Sequence, residues 1–353
     1  MFVAVGSGGE TRGDDGNPWI EVSTDGINWT PDHVQYTDEQ LNEAYTLRSV
    51  TYGSNGFVTT DGVHVLHSTD GLNWTVESFE SASDKISYVL YDGTRYILYS
   101  NTDGPSGKLG MIDNFPWKVS TDGVDWADYG AITINNGPAG EPVSIIHVGG
   151  MYEAAWQPAE NVPGNTRYLT ATSTDGLSWT LGTPVAAVTP KPTMYWILHA
   201  GDQYLVYGGI DDPAQQGDFG VVLYGSSMSA MKVASPLTVP SNDNLGDVAD
   251  DFDPTGSSFP GPPYQTHGLV SNGTVAVALG TPGLFVSTDG IAWHWKSMDG
   301  VVPLTACNTF EGNICSSFAS GAAAPGGSIV VLVASGSAGA ETTDGIHWVT
   351  SNL

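Results

Sequence analysis

Ser68-Thr69-Asp70-Gly71-Leu72-Asn73-Trp74 is the stretch on which the reading of this chain turns. The pattern Ser-Thr-Asp-Gly-x-x-Trp returns with Asp25 and Trp29, Asp122 and Trp126, Asp175 and Trp179, and Asp289 and Trp293. A copy opening with Thr342 carries Asp344 and Trp348. Self-similarity at a period of roughly 50 residues marks a repeat architecture, in which each unit covers its apolar face with the next. The interval from Asp175 to Asp289 spans two periods, and residues 221–233 hold a decayed seventh copy. There an apolar run leads into Gly225-Ser226-Ser227-Met228, and Asp, Gly and Trp are all lost.

Asp-Gly is the favoured central pair of a two-residue type I′ hairpin turn, because both positions take φ > 0. Each copy therefore reads as a hairpin tip. With Asp25-Gly26 as the turn, Thr24 faces Ile27, Ser23 faces Asn28 and Val22 faces Trp29, and directly opposed residues share one face of a sheet. The residue after Gly is aliphatic in every intact copy (Ile27, Leu72, Val124, Leu177, Ile291, Ile346), so that face is expected to be covered by a neighbouring sheet. The tryptophans are expected to pack between sheets.

Two further strands precede each hairpin, clearest at 48–52 and 57–60, 86–91 and 95–100, 143–148 and 151–156, 195–200 and 203–208, and 268–270 and 274–279. Four antiparallel strands per repeat, closed in a ring, predict an all-β fold: a seven-bladed β-propeller in a single domain. The blades fall near 1–35, 47–80, 85–130, 142–182, 193–236, 265–298 and 315–353. Residues 1–6 match the second strand of a blade, so the first blade lacks its innermost strand; either the blade is three-stranded, or that strand lies upstream of Met1, or it comes from a partner.

Composition agrees with this. Gly 45 and Pro 21 suit many tight turns, and Trp 11, Tyr 15 and Phe 10 supply a large core. A formal net charge of −28 repels a phosphate backbone, so neither nucleic acid nor an anionic membrane is an expected partner. Residues 1–9 lack the basic start and apolar run of an export signal, and no stretch approaches the roughly 18 apolar residues of a membrane span. Cys307 and Cys315 lie in one connection; a bridge between them would contribute ~2.5 kcal/mol and imply a non-reducing setting, and two free thiols are the alternative.

The repeat resembles the Asp-box, or BNR, repeats of sialidase-like β-propellers, whose pattern is Ser-x-Asp-x-Gly-x-x-Trp, and the copies run over essentially the whole chain. Each intact copy omits the residue between Asp and Gly. The resemblance implies repeats at the periphery of a propeller, in a family that includes glycosidases, sorting receptors, photosystem assembly factors and phage or bacterial surface proteins. It also implies that a sialidase would need three arginines clamping a carboxylate. The chain has only Arg12, Arg48, Arg95 and Arg167, none in a Phe/Tyr-Arg-Ile-Pro string, so sialidase chemistry is not expected.

Long connections at 7–18, 101–116, 157–166, 210–219, 235–265 and 297–313 leave the blades opposite the Asp-Gly tips, and recognition is expected on that face. Candidate binding residues there are Asp14, Asp15, Trp156, Asp211, Asp212, Asp250, Asp251, Asp253 and Tyr264. With Asp243 and Asp247, the last acidic group could hold Ca²⁺; a solvated acidic surface is the preferred reading, and no cofactor is expected. Thr37 and Gln40 form a capping box for a short helix at 36–41. The eight histidines show no His-x-x-x-His spacing of a metal site. The functional expectation is a non-enzymatic recognition or structural propeller of a virion, as a tail or receptor-binding protein, or of a microbial surface. Its partners would be other virion or surface proteins and host-surface glycans. A carbohydrate-active hydrolase and an assembly factor are the alternatives.

Overall fold

A computed structural model describes residues 1–8, 17–32, 34, 47, 49–78, 88–99, 117–130, 132–137, 140–158, 170–182, 192–212, 217–228, 231–234, 237, 265–281, 283–296, 298, 301, 318–323, 326–333 and 338–352. Among them every regular element is a β-strand. The first sheet holds β1 (Phe2–Gly8), β2 (Asn17–Ser23) and β3 (Thr30–Asp32). The second holds β4 (Ser49–Gly53), β5 (Gly56–Thr60), β6 (His64–Ser68) and β7 (Thr75–Ser78), and the third β8 (Tyr88–Tyr91), β9 (Tyr96–Tyr99), β10 (Trp117–Ser120) and β11 (Ala127–Gly130). The fourth adds β12 (Thr133–Ile134) to β13 (Gly140–Val148), β14 (Met151–Pro158), β15 (Thr170–Ser173) and β16 (Ser178–Leu181). The fifth comprises β17 (Pro192–Ala200), β18 (Gln203–Asp212), β19 (Gly217–Gly225) and β20 (Lys232–Val233). The sixth comprises β21 (Gln265–Ser271), β22 (Ala276–Thr281), β23 (Leu284–Ser287) and β24 (His294–Lys296). The seventh comprises β25 (Phe318–Ala323), β26 (Ile329–Val333), β27 (Ala338–Thr342) and β28 (Val349–Asn352).

The fold is an all-β, seven-bladed β-propeller of mainly four-stranded antiparallel sheets, with three strands in the first blade. The decayed copy is a hairpin as expected, β19 to β20, with Met228 buried at its tip. The strand β12 was not anticipated; it runs parallel to β16, with Thr133 opposite Ser178. The helix expected at 36–41 lies outside the described residues, and so do Cys307 and Cys315.

The chain divides into two compact units: Met1–Glu153 with Pro158–Pro163 and Thr172–Leu181, and Ala154–Gln157 with Gly164–Ala171 and Gly182–Leu353. In the first unit, Val3, Ile20 and Val22 of sheet one pack on Phe57 and Leu66 of sheet two, with Trp74 against them. Val58 and Val65 of sheet two then pack on Val89, Tyr96 and Leu98 of sheet three, with Trp126. The second unit repeats the scheme. Leu205, Tyr207 and Val222 of sheet five meet Ala276, Phe285 and Trp293 of sheet six, whose Val277 and Val286 meet Ile329, Val331 and Trp348 of sheet seven. Each of these tryptophans thus faces the preceding sheet, which is the inter-sheet role expected of them.

The turn itself departs from the type I′ expectation. Val22 pairs with Thr30, not Trp29, so the loop is longer than two residues. Ser23 Oγ accepts the Gly26 N–H at 2.8 Å, Asp25 Oδ1 accepts the N–H groups of Ile27 (2.9 Å) and Asn28 (2.8 Å), and Trp29 Nε1 donates to Gly26 O at 3.0 Å. A carboxylate satisfies the main chain here in the way a capping residue does at a helix end. The longer loop also lifts the residue after Gly off the buried face. Leu72, Val124, Ile291 and Ile346 are 52, 38, 37 and 66 % exposed, which overturns the expectation that a neighbouring sheet covers them.

Candidate functional site

The repeat turns occupy one end of their sheets and are chemically saturated. Their Ser or Thr hydroxyl, Asp carboxylate and Trp N–H recur with the same partners around Asp70, Asp122, Asp175, Asp289 and Asp344. Where the residue three after Asp offers a donor, it takes the second carboxylate oxygen, as Asn28, Asn73, Ser178 and His347 do. Hydrogen bonds to the anion favour ionisation. The main-chain N–H of Ser178, ahead of opposing burial, holds the Asp175 carboxyl at about 2. Main-chain N–H donors likewise keep Asp25, Asp70, Asp122 and Asp289 below the usual carboxylate range, and for Asp344 the His347 ring is the leading cause.

Glycine in these turns is demanded twice. Gly71, Gly290 and Gly345 have φ of 74, 71 and 73°, and an added Cβ would stand 2.6 Å from Met1, Leu205 and Val286 of the preceding sheet. The turn is thereby clamped to that sheet. A side-chain amide adds to the clamp: Asn55 Nδ2 donates to Thr121 O at 2.8 Å, and Asn272 Nδ2 to Thr343 O at 3.2 Å. Between sheets three and four, Asp92 accepts the Tyr152 hydroxyl at 2.5 Å and Arg95 Nε at 3.1 Å, while the Arg95 guanidinium lies 4.8 Å over the Tyr129 ring. Burial opposes ionisation of Asp92, but the Tyr152 hydroxyl, the Thr94 N–H and hydroxyl and the Arg95 main-chain N–H outweigh it and keep the carboxyl well below its ordinary value. Burial, then the bond to Asp92, pushes the Tyr152 hydroxyl up.

The opposite ends of the sheets bear the connections between second and third strands and between sheets, because antiparallel strands alternate in direction. In blade two the β5–β6 turn is only Asp61-Gly62-Val63, and it buries an Asp–His pair: His64 Nδ1 lies 2.8 Å from Asp61 Oδ2, with side-chain exposures of 1 and 0 %. Asp61 Oδ1 accepts the N–H groups of Val63 (2.9 Å) and His64 (2.7 Å). Asp61 thereby fixes the orientation of the imidazole through Nδ1. The sequence reading missed this pair because it looked for metal-ligand spacings; Asp-Gly-x-His, shared by Asp61–His64 and Asp344–His347, was the signal available.

The nominated residues fare differently. Trp156 is fully buried in β14. Asp211 and Asp212 do not lie in a long loop, since β18 and β19 extend through the expected 210–219 connection, with Asp211 opposite Asp218 and Asp212 opposite Gly217. Asp14, Asp15, Asp243, Asp247, Asp250, Asp251, Asp253 and Tyr264 lie outside the described residues. Among the described residues no group of three His, Cys, Asp or Glu is placed to hold a metal, and no helix is long and apolar enough to cross a membrane.

No protein-family model matches the chain, and no curated protein is significantly similar to it. Among solved structures, a streptogramin B lyase is 9 % identical over 87 % of this chain and 83 % of its own, with a TM-score of 0.48. A thermostable family-43 glycoside hydrolase is 11 % identical over 70 % of this chain and 92 % of its own (TM-score 0.40), and virginiamycin B lyase from Staphylococcus aureus is 15 % identical over 80 and 76 % (TM-score 0.41). Likeness at this level does not reach the chemistry of any site.

Proposed function

We propose that the chain is a recognition propeller that takes a glycan at the sheet ends opposite the repeat turns. The observation behind this reading is the asymmetry between the two ends. One end spends its polar groups on its own main chain and on the neighbouring sheet, and every connection longer than a tight turn between second and third strands leaves from the other. Asp250, Asp251, Asp253 and Tyr264 in those connections supply the acceptors and the ring that sugar hydroxyls and C–H faces require. Kinship with Asp-box propellers belongs to the same proposal, carried by the order Ser, Asp, Gly, Trp. A setting on a virion or microbial surface, with other surface proteins as partners, extends it from charge and composition.

A carbohydrate-active hydrolase is the second reading, favoured by the register that sets Asp211 opposite Asp218. Glycosidic cleavage uses two carboxyl-bearing residues, and this register brings two to one ladder position. A glycan array run beside a hydrolysis assay tests both. Binding without product, weakened by Tyr264→Ala, supports recognition; product formation abolished by Asp211→Asn or Asp218→Asn replaces it with hydrolysis.

A further inference from the structure

Six sheets carry a first strand outside the one that follows it: β4 on β5, β8 on β9, β13 on β14, β17 on β18, β21 on β22 and β25 on β26. In the first sheet β1 is itself the edge. Its register identifies the counterpart of each residue. Phe2 faces Ser23 as Phe57 faces Ser68, so Val3 and Val5 correspond to Val58 and Thr60.

Strand alternation then gives the direction of the main-chain groups. The Asp61 N–H donates to His64 O, so Asp61, Thr59 and Phe57 turn their N–H and C=O toward β6. Val58 and Thr60 turn theirs toward β4, where Thr51 and Ser49 stand opposite. By the same alternation Val3 and Val5 turn theirs away from β2. Pro31 agrees: it lacks an N–H and faces Glu21, as a residue directed away from β3 allows. Among the described residues, the contact nearest this edge is the Leu47 N–H to Gly6 O at 3.3 Å.

We propose that the β1 edge accepts an extended segment of a second polypeptide, which adds antiparallel to β1 and gives the first blade its fourth strand. The chain's own first strands define the chemistry of that segment. β4, β8, β17, β21 and β25 contain no Asp, Glu, Lys or Arg, and β13 contains only Glu141. The occupant is accordingly uncharged and rich in β-branched and aromatic residues. A second copy of this chain is disfavoured, because each carries a formal net charge of −28.

The probe is a peptide with blocked termini and the sequence Ser49-Val50-Thr51-Tyr52-Gly53, titrated into the full chain while amide exchange is followed residue by residue. Val3 and Val5 are expected to exchange freely without peptide and about tenfold or more slowly at saturation, with Phe2 and Ala4, already paired to β2, unchanged. Val5→Pro, which removes an edge donor and none directed at β2, is expected to abolish binding. Three results overturn the proposal. Val3 and Val5 amides as slow as those of Val58 and Thr60 in the free chain would mean the edge is already paired. Unaltered exchange at saturating peptide would mean it accepts no strand. Protection arising with concentration of the chain alone, as sedimentation detects a dimer, would assign the edge to a second copy. Because the wild-type exchange rates decide the matter, a misfolded Val5→Pro protein leaves the test intact.

Discussion

Asp61-Gly62-Val63-His64 and Asp344-Gly345-Ile346-His347 are the same four-residue device in two settings. In both, one carboxylate oxygen takes two successive N–H groups and the other takes a histidine Nδ1, at 2.8 Å in the first and 2.7 Å in the second. Histidine and aspartate are 1 and 0 % exposed in the first and 85 and 43 % in the second. Equal distances therefore carry unequal weight. Inside, loss of one partner strands the other without water. Outside, water and salt replace what is lost.

The largest expected effect follows directly. Asp61→Ala removes the acceptor of two N–H groups and of a buried imidazole contact together, and is expected to cost about 3–5 kcal/mol in urea unfolding. Asp344→Ala removes the same bonds at the surface and is expected to lower the midpoint by clearly less. Equal losses would break the comparison, since burial would then have no bearing on the pair.

The exposed turn is not weak throughout, and glycine substitution sharpens the contrast by showing where its weight lies. At Gly345, alanine meets both a φ of 73° and Val286 at 2.6 Å. Gly93 has a φ of 97° with open space beyond it. Gly93→Ala is expected to cost about 1 kcal/mol, the strain alone. Gly345→Ala adds overpacking and is expected to cost about 2–4 kcal/mol, read from denaturant midpoints. The surface turn thus holds the fold through its backbone contact with the preceding sheet more than through its Asp344–His347 contact.

These particulars mark what the sequence could and could not disclose. The recurring Asp, Gly and Trp located six hairpins and, by interval, a seventh that has lost all three residues, because a repeat must keep its spacing for neighbouring sheets to meet. The register was not legible. Asp-Gly suits a type I′ turn and a carboxylate-capped loop equally, and only coordinates reveal that Asp25 spends its oxygens on Ile27 and Asn28. The same ambiguity turned Ile27 and its equivalents into expected core residues. Polar Asp211 and Asp218 disguised paired strands as a loop. Of the nominated site residues, Trp156 proved buried, as an aromatic inside a second strand should be, and most of the others lie outside the described residues.

Acid titration gives a smaller, graded effect. Asp175 is held at about 2, against about 3.9 in an unfolded chain. The native state therefore binds fewer protons than the unfolded one between these values, so the contribution is complete above about pH 4 and is lost as the pH falls toward 2. Asp175→Asn is expected to flatten the urea midpoint over this interval relative to wild type, while leaving the slope above pH 5 unchanged. An identical acid limb in both proteins would mean that the surface carboxylates do not couple ionisation to folding, and that the outer turns matter only for packing.

The smallest effect is the one that isolates the histidine contact itself. His347→Ala removes only the ring contact to Asp344, since the His347 N–H still donates to Oδ1. The lost partner is 85 % exposed, and a pair so placed is screened at physiological salt, so the melting temperature is expected to stay within about 1 °C of wild type. His64→Ala deletes the same bond in the interior and is expected to lower it well beyond that. If the two substitutions shift the melting temperature alike, the imidazole contributes through the turn's local geometry, and burial of the Asp61–His64 pair would have to be explained by something other than stability.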